Sequence, residues 1–335
     1  MTTGAYYTER GAAKDVLKLG EMDMPEPGEG EVLVRVCASG INPSDVKTRA
    51  GNLGPLAVPR TIPHSDGAGV IEAVGAGVPG ARVGERVWLY NVNRTADGMG
   101  QGAKGTAVRH AAVDAHQVVP LPDGVSFEEG ACLGVPAMTA HRALFADGPV
   151  EGQAVLVTGG AGAVGSMAIQ MAKANGARVL TTVSGDEKAA AAKQDGADGI
   201  INYKTENLVE AVLTATGGAM LDRIVDVDFA SHINLTTDIL KSGGVVAAYA
   251  SMSNPAPELA YYPLMFNNTT IRLVFVYAMP QAARDAAAQA INAFLEAGTL
   301  KARIAAAYPL EQIVAAHEHV ESGTQIGNVI LTVGT

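Results

Sequence analysis

Three glycines, Gly160, Gly162 and Gly165, close the apolar run Ala154-Val-Leu-Val-Thr158, and Ser166-Met-Ala-Ile-Gln-Met-Ala-Lys-Ala174 continues at helical spacing. Strand, glycine-rich turn and helix is the arrangement that holds a dinucleotide pyrophosphate. Glycines permit the tight turn and close backbone approach, and the start of the helix offers unpaired N–H groups and a positive dipole end. The motif predicts a nicotinamide cofactor. A second copy of the spacing, Gly75-Ala-Gly77-Val-Pro-Gly80, follows the apolar run Val70–Val74 but leads into no helix. Pro79 lies inside it and Arg82–Trp88 reads as another strand, so that copy is read as a β-turn.

The second strand of the cofactor fold is Arg178-Val-Leu-Thr-Thr-Val-Ser184. An Asp or Glu at its tip would bond a ribose 2′-hydroxyl. Ser184-Gly185 stand there instead, leaving room for a 2′-phosphate, and Lys188 supplies a cation in the following helix. Asp186 and Glu187 are read as first-turn residues of that helix that point away. NADPH is therefore expected in preference to NADH. An ordinary solvated lysine remains the alternative at Lys188.

These residues need elements to position them, and a chain of 335 residues has room for two domains. The part up to about residue 123 reads as β: Glu31–Val36, Val70–Val74 and Arg86–Tyr90 are short strands punctuated by Gly and Pro, and Val118–Pro122 is an exit segment. Asn91 to Gly105 is a glycine-rich loop with no predictable conformation. From Ser126, with Glu129 three residues on, a capped helix is expected to run to about Ala146. Strands at Ala154–Val157, Arg178–Val183, Gly199–Tyr203, Arg223–Val227, Val245–Ala250 and Ile271–Tyr277 then alternate with helices at Val164–Asn175, Asp186–Gln194, Asn207–Thr216, Ile233–Lys241 and Gln281–Glu296. That alternation predicts a doubly wound parallel sheet. A terminal strand, Asn328–Val333, needs a sheet and is expected to return to the N-terminal one. The expected domains are 1–123 with 299–335, and 124–298.

The net charge of −10 argues against a nucleic-acid or anionic-membrane surface. The N-terminus has no apolar core of a secretory signal, and no apolar run reaches membrane-spanning length. A reducing cytoplasm is the expected location, with Cys37 and Cys132 as buried free thiols.

Gly40-Ile-Asn-Pro-Ser-Asp45, Pro63-His-Ser-Asp-Gly-Ala-Gly-Val-Ile-Glu-Ala-Val-Gly75, Gly84-Glu-Arg-Val87, Thr139-Ala-His-Arg-Ala-Leu144, the Gly160 turn and Gly196-Ala-Asp-Gly-Ile-Ile-Asn-Tyr203 occur in this order. Together they resemble the medium-chain dehydrogenase/reductase superfamily, specifically its zinc-free, zeta-crystallin-type quinone oxidoreductases, over nearly the whole chain. The resemblance implies an α/β protein with a GroES-like β domain plus a Rossmann domain, and NADPH in the cleft. It also implies transfer of reducing equivalents to a quinone or related activated carbonyl, and a homodimer or homotetramer. Zinc-dependent members need soft or imidazole ligands. By motif, their first Cys falls on Asn42, their His on Ser65 and their third ligand near Val135, so no metal is expected. His64 is read as a structural residue without a partner at ligand spacing, and His317 and His319 as part of a solvated helix face. In the enoyl thioester reductase branch a proton-donating Tyr would stand at Leu53.

Residue by residue, the resemblance places Gly160, Gly162, Ala163, Val164 and Gly165 at the pyrophosphate. Ser184, Lys188 and Tyr203 surround the adenosine phosphate. Thr139, Tyr249, Ser251, Phe275 and Val276 line the nicotinamide end, and Asn328 returns from the tail. Asn42 faces the nicotinamide and Asp45 supports its loop; a turn residue before Pro43 and a helix cap are the structural alternatives. Tyr90 is either a hydrogen-bond donor to a carbonyl or β-domain packing. Hydride transfer needs positioning and dryness rather than a nucleophile. The apolar stretch Leu273–Tyr277 is expected to be an edge strand that pairs with a second subunit. Two other readings stay open: an enone or enoyl reductase, and an NADPH-binding protein without turnover.

Overall fold

The structure is a computed structural model describing residues 1–52 and 54–334, so Leu53 lies outside the described residues. By its internal contacts the chain divides into two units: residues 1–136, 277–296 and 302–335, and residues 137–276 with 297–301. These divisions fall elsewhere than residues 123/124 and 298/299, because the segments 124–136 and 277–296 pack with the first unit.

In the first unit β1 (Thr2–Tyr6) pairs with β2 (Lys18–Met22), and α1 (Ala13–Val16) lies between them in sequence. The long β3 (Glu31–Ile41) ends in α2 (Pro43–Ala50). It pairs antiparallel with β4 (Asp66–Val74) and with β6 (His110–Asp114); β4 pairs with β5 (Arg86–Leu89), and β5 with β7 (Val118–Pro120). Alternating burial along β3 follows from its alternating apolar and charged residues. The core beneath the sheet includes Val32, Val34, Val36, Ile71, Val87 and Leu89. Gly75–Gly80 is a turn with Gly77 at φ 82°, and the following residues form a 3₁₀ turn, Gly80–Arg82, before β5. The strand expected to start at Arg82 is thereby shortened; Gly84, at φ 89°, breaks it.

The helix expected over 126–146 is instead three pieces: α3 (Phe127–Gly130), a π-turn at Leu133–Ala137, and α4 (Met138–Phe145). Ser126 and Glu129 form the expected capping box. Pro136, with no N–H, and two glycines loosen the middle.

In the second unit β8 (Ala154–Val157), β9 (Arg178–Val183), β10 (Gly199–Asn202), β11 (Leu221–Asp226), β12 (Leu240–Ala248) and β13 (Thr270–Leu273) form one sheet in the order β10-β9-β8-β11-β12-β13, all pairs parallel. This is the doubly wound order with its reversal between β8 and β11, where dinucleotides bind. The intervening helices are α5 (Ala163–Ala174), α6 (Asp186–Gln194), α7 (Leu208–Thr216), α8 (Phe229–His232) and α9 (Tyr261–Phe266). The helix expected over 233–241 is a 3₁₀ turn, Ile233–Asp238, since Asn234, Thr236, Thr237 and Asp238 are weak helix formers. The last strand stops at Leu273 rather than Tyr277, and Val276–Ala278 is a 3₁₀ turn.

The remainder of the first unit is α10 (Gln281–Glu296), β14 (Ile304–Pro309), α11 (Ile313–Ser322) and β15 (Asn328–Thr332). The terminal strand pairs antiparallel with β3, Val329 opposite Ile41, as its sequence requires.

Candidate functional site

The glycine turn follows directly from β8. Thr182 receives the amide of Gly159 on its hydroxyl at 3.0 Å and that of Gly160 on its carbonyl at 3.1 Å, which draws the turn onto β9. A Cβ at Gly160 would overlap the Thr181 hydroxyl, and one at Gly165 would overlap the Gly159 carbonyl; Gly162 is open, its nearest neighbour 3.4 Å away. Two glycines are therefore demanded by packing, and the third keeps the surface bare for a ligand. No side chain caps α5, so the first-turn amides of Ala163, Val164 and Gly165 remain available. These residues fit a pyrophosphate.

At the tip of β9, Ser184 is half-buried and Asp186 and Glu187 are exposed in the first turn of α6, as expected. Lys188 is half-buried in the same helix and Tyr203, whose amide bonds Val183, is half-exposed. Ser184 and Lys188 are thus two residues on one strand end and one helix start.

The C-terminal ends of β8, β11 and β12 carry a polar cluster that the sequence reading missed. Asp226 is fully buried; its Oδ1 accepts from Thr158 Oγ1, from His232 Nδ1, each at 2.8 Å, and from the Asp228 amide at 3.0 Å. Burial opposes charge on His232, but the hydrogen bond and charge of Asp226 outweigh it and hold the imidazole above its ordinary range. Tyr249 follows β12, with its hydroxyl pushed up by burial and by Asp226. Ser251 accepts from the Ala230 amide at 3.2 Å and donates to the Asn254 carbonyl at 2.5 Å, so it shapes its loop. Val276 is buried and Phe275 is half-exposed. Thr139 is buried in α4.

In the first unit Asn42 is the N-cap of α2 and is 5% exposed. Its backbone N–H donates to Asp45 Oδ2 at 2.8 Å and its Nδ2 to Asp66 Oδ2 at 2.7 Å. The same Asp66 oxygen accepts the Val135 amide at 2.8 Å. Asn42 and Val135, two of the three positions aligned by motif with metal ligands, therefore meet at the carboxyl of Asp66, and Ser65, the third, precedes Asp66 in the chain. An amide, a hydroxyl and an aliphatic side chain are poor zinc ligands, and the residues present do not fit that ion. Burial raises Asp45 to about 6, and burial with the neighbouring Asp45 charge raises Asp66 to about 8. The Asn91–Gly105 loop brings the Arg94 guanidinium 3.6 Å from the centre of the Tyr277 ring, and the Tyr277 hydroxyl lies 2.5 Å from Ser44 Oγ. Sequence reading placed Asp66 in a family motif, Arg94 in a loop and Tyr277 at the end of an edge strand, but gave no sign that they meet, because the topology alone unites them.

Tyr90 is 1% exposed and its hydroxyl donates to the His116 carbonyl at 2.6 Å. Asn328 donates its side-chain N–H to the Arg303 carbonyl at 3.0 Å, tying β15 to the segment before β14.

His317 needs correction, while His64 is a hydrogen-bonded structural residue as expected. Both are fully buried, and their Nε2 atoms are 2.8 Å apart; His317 is not on a solvated face and His64 has a partner. Protons can be assigned along the chain. Thr106 Oγ1 donates to the Asp66 carbonyl at 2.5 Å, so Ser39 must donate to Thr106 at 2.7 Å. Ser39 then accepts from His64 Nδ1 at 2.8 Å, and His64 Nε2 accepts from His317. Both rings are neutral: burial lowers His64 to about 3, and burial, His64 and Arg49 lower His317. His64 also holds φ at 75°, a conformation a bulky residue adopts only when its surroundings enforce it.

Residues 28–123 match the alcohol dehydrogenase GroES-like domain family, and residues 163–294 the zinc-binding dehydrogenase family. The chain is 31% identical over 322 residues to the quinone oxidoreductase of Homo sapiens, covering 95% of this chain and 94% of the relative. It is 33% identical over 324 residues to that of Sus scrofa, with the same coverages. This chain belongs to the quinone oxidoreductase family of the medium-chain dehydrogenase/reductases. Among solved structures, Escherichia coli quinone oxidoreductase complexed with NADPH superposes with a TM-score of 0.85 at 26% identity, covering 99% of this chain and all of that one. A mycobacterial quinone oxidoreductase gives 0.86, also at 26% identity, with the same coverages.

Proposed function

We propose that the protein is an NADPH-dependent reductase of quinones and related activated carbonyls that works without zinc. One observation carries the reading: an uncapped α5 behind a bare glycine turn, in a chain related along 95% of its length to quinone oxidoreductases. NADPH, when bound, supplies the hydride. Gly160, Gly162, Ala163, Val164 and Gly165 would hold its pyrophosphate. Ser184, Lys188 and Tyr203 would hold the 2′-phosphate end, where a lysine charge-assists the contact. Thr139, Tyr249, Ser251, Phe275, Val276 and Asn328 belong to the nicotinamide end by likeness to the family. Asn42 orients the acceptor side, and Asp45 fixes Asn42 by accepting its backbone N–H. A reduced quinone takes its protons from water, so no dedicated acid is required.

The active form is a homodimer joined along β13. That strand is an edge of the parallel sheet. Leu273 at its end and Phe275 just beyond it are exposed, and Tyr261, Tyr262 and Phe266 are exposed on α9 in the same unit. Unpaired apolar edges call for a partner. NADPH oxidation with a benzoquinone, in the presence of a chelator, tests the reading. Turnover that needs added zinc, or none with any quinone, contradicts it.

A further inference from the structure

Asp66 opens β4 opposite Gly40, buried to 1% exposure. Its two carboxyl oxygens are used unequally. Oδ2 accepts from Asn42 Nδ2 at 2.7 Å and from the Val135 amide at 2.8 Å. Oδ1 is buried and has no hydrogen-bond partner among the described residues. It lies against Gly134, where a Cβ would overlap it. A carboxylate with one bare buried oxygen is expensive, and the cheapest remedy is to keep a proton on that oxygen. Oδ2 then stays a carbonyl-type acceptor for both donors. The Asn42 amide is fixed by the same contact, since its NH₂ must face Oδ2.

We propose that Asp66 is a positioning residue of the reductase site: its neutral carboxyl ties Asn42, at the start of α2, to Val135, in the Leu133–Ala137 turn, and so sets the Asn42 amide and the spacing of the two segments. The inference rests on the reductase reading above. It concerns two of the three positions that a metal would crosslink in zinc-dependent members, Asn42 and Val135, here joined by one side chain. Gly134 is part of the device, because any larger residue would displace Oδ1. The groups that share this environment are Asp45 on α2, Arg94 from the glycine-rich loop, Cys132 before the π-turn, and Tyr277. Asp66 ionises only as pH rises to about 8. Above that, Oδ2 still accepts from Asn42 and Val135, and a second negative charge stands beside Asp45.

The test compares wild type, D66N and D66A with NADPH and 1,4-benzoquinone. D66A is expected to raise the quinone KM by about tenfold, since both the Asn42 amide and the Val135 N–H lose their buried acceptor, while the NADPH Kd from cofactor fluorescence stays within about twofold. D66N keeps an acceptor oxygen for both donors, so its KM returns to within about threefold of wild type and no longer changes as the pH passes about 8. A D66A enzyme with wild-type quinone KM, or a D66N enzyme as impaired as D66A, overturns the proposal. An amide NMR titration gives a readout independent of turnover. The Asn42 side-chain and Val135 backbone N–H resonances should shift together near pH 8 in wild type and stay fixed in D66N. Resonances that titrate separately, or in D66N as well, overturn the tie even if the protein reduces no quinone. Absence of wild-type turnover with the coupled titration intact sinks only the reductase reading.

Discussion

Gly165 and Lys188 carry the most specific predictions at the scale of single residues. A Cβ at Gly165 would overlap the Gly159 carbonyl and crowd the Gly160 Cα, backbone atoms that cannot give way as a side chain could. Gly165→Ala is expected to weaken NADPH binding by about tenfold or more, and a fluorescence titration measures it. Lys188→Ala is expected to raise the NADPH KM about tenfold while changing the NADH KM little, because only the 2′-phosphate loses a partner. Equal losses for both cofactors would place Lys188 elsewhere. The glycine turn was legible because its spacing is local and is followed by an unmistakable helix. Asp66 was not, because nothing in Ser65-Asp66 announces that Asn42, 24 residues away, and Val135, 69 residues away, converge on it. His317 was misread for a related reason. Its neighbours Glu318 and Glu321 are charged, yet helix geometry turns His317 inward with Ile313, Ala316 and Val320.

Among the elements, α11 is held to the segment before β4 by the His64–His317 contact and to α2 by the Arg49–Glu321 ion pair. Both histidines have folded-state values below the ordinary 6.5, so the unfolded chain takes up protons that the folded one refuses. Their contribution to stability is intact above pH 6.5 and falls as the pH drops below it. His317→Asn removes one of the two. Its acid-side stability slope should be shallower than wild type by up to about 1.4 kcal/mol per pH unit, measured by urea unfolding between pH 6.5 and 5. Asp66 has the opposite sign. Its folded value is raised, so its contribution is present below pH 4 and is lost as the pH rises towards about 8. D66N removes that alkaline decline. At this scale the sequence was readable where residues followed one period, as in α6 and α10, which run as expected. It failed where glycine, proline or β-branched residues broke the period: the 126–146 stretch became three pieces and 233–241 a 3₁₀ turn followed by the start of β12.

For the whole molecule, alternating strands and helices made the doubly wound sheet legible, and the lone terminal strand predicted a return to the N-terminal sheet. The division into units was less legible, because helix α10 continues the alternating pattern yet packs with the first unit. Phe266→Asp combined with Leu273→Lys should leave a folded monomer by light scattering, since both side chains are about three-quarters exposed and need no room in the core. A dimer that survives both changes would move the interface off β13. No helix is long and apolar enough to cross a membrane among the described residues.

The most direct measurement is NADPH oxidation followed by nicotinamide absorbance, run against a benzoquinone, a conjugated enone, an enoyl thioester and an aldehyde, each with NADH in parallel and with a chelator. The account predicts quinone-dependent, chelator-insensitive oxidation that favours NADPH. Turnover confined to the enone or thioester, a preference for NADH, or loss of activity with chelator would contradict it.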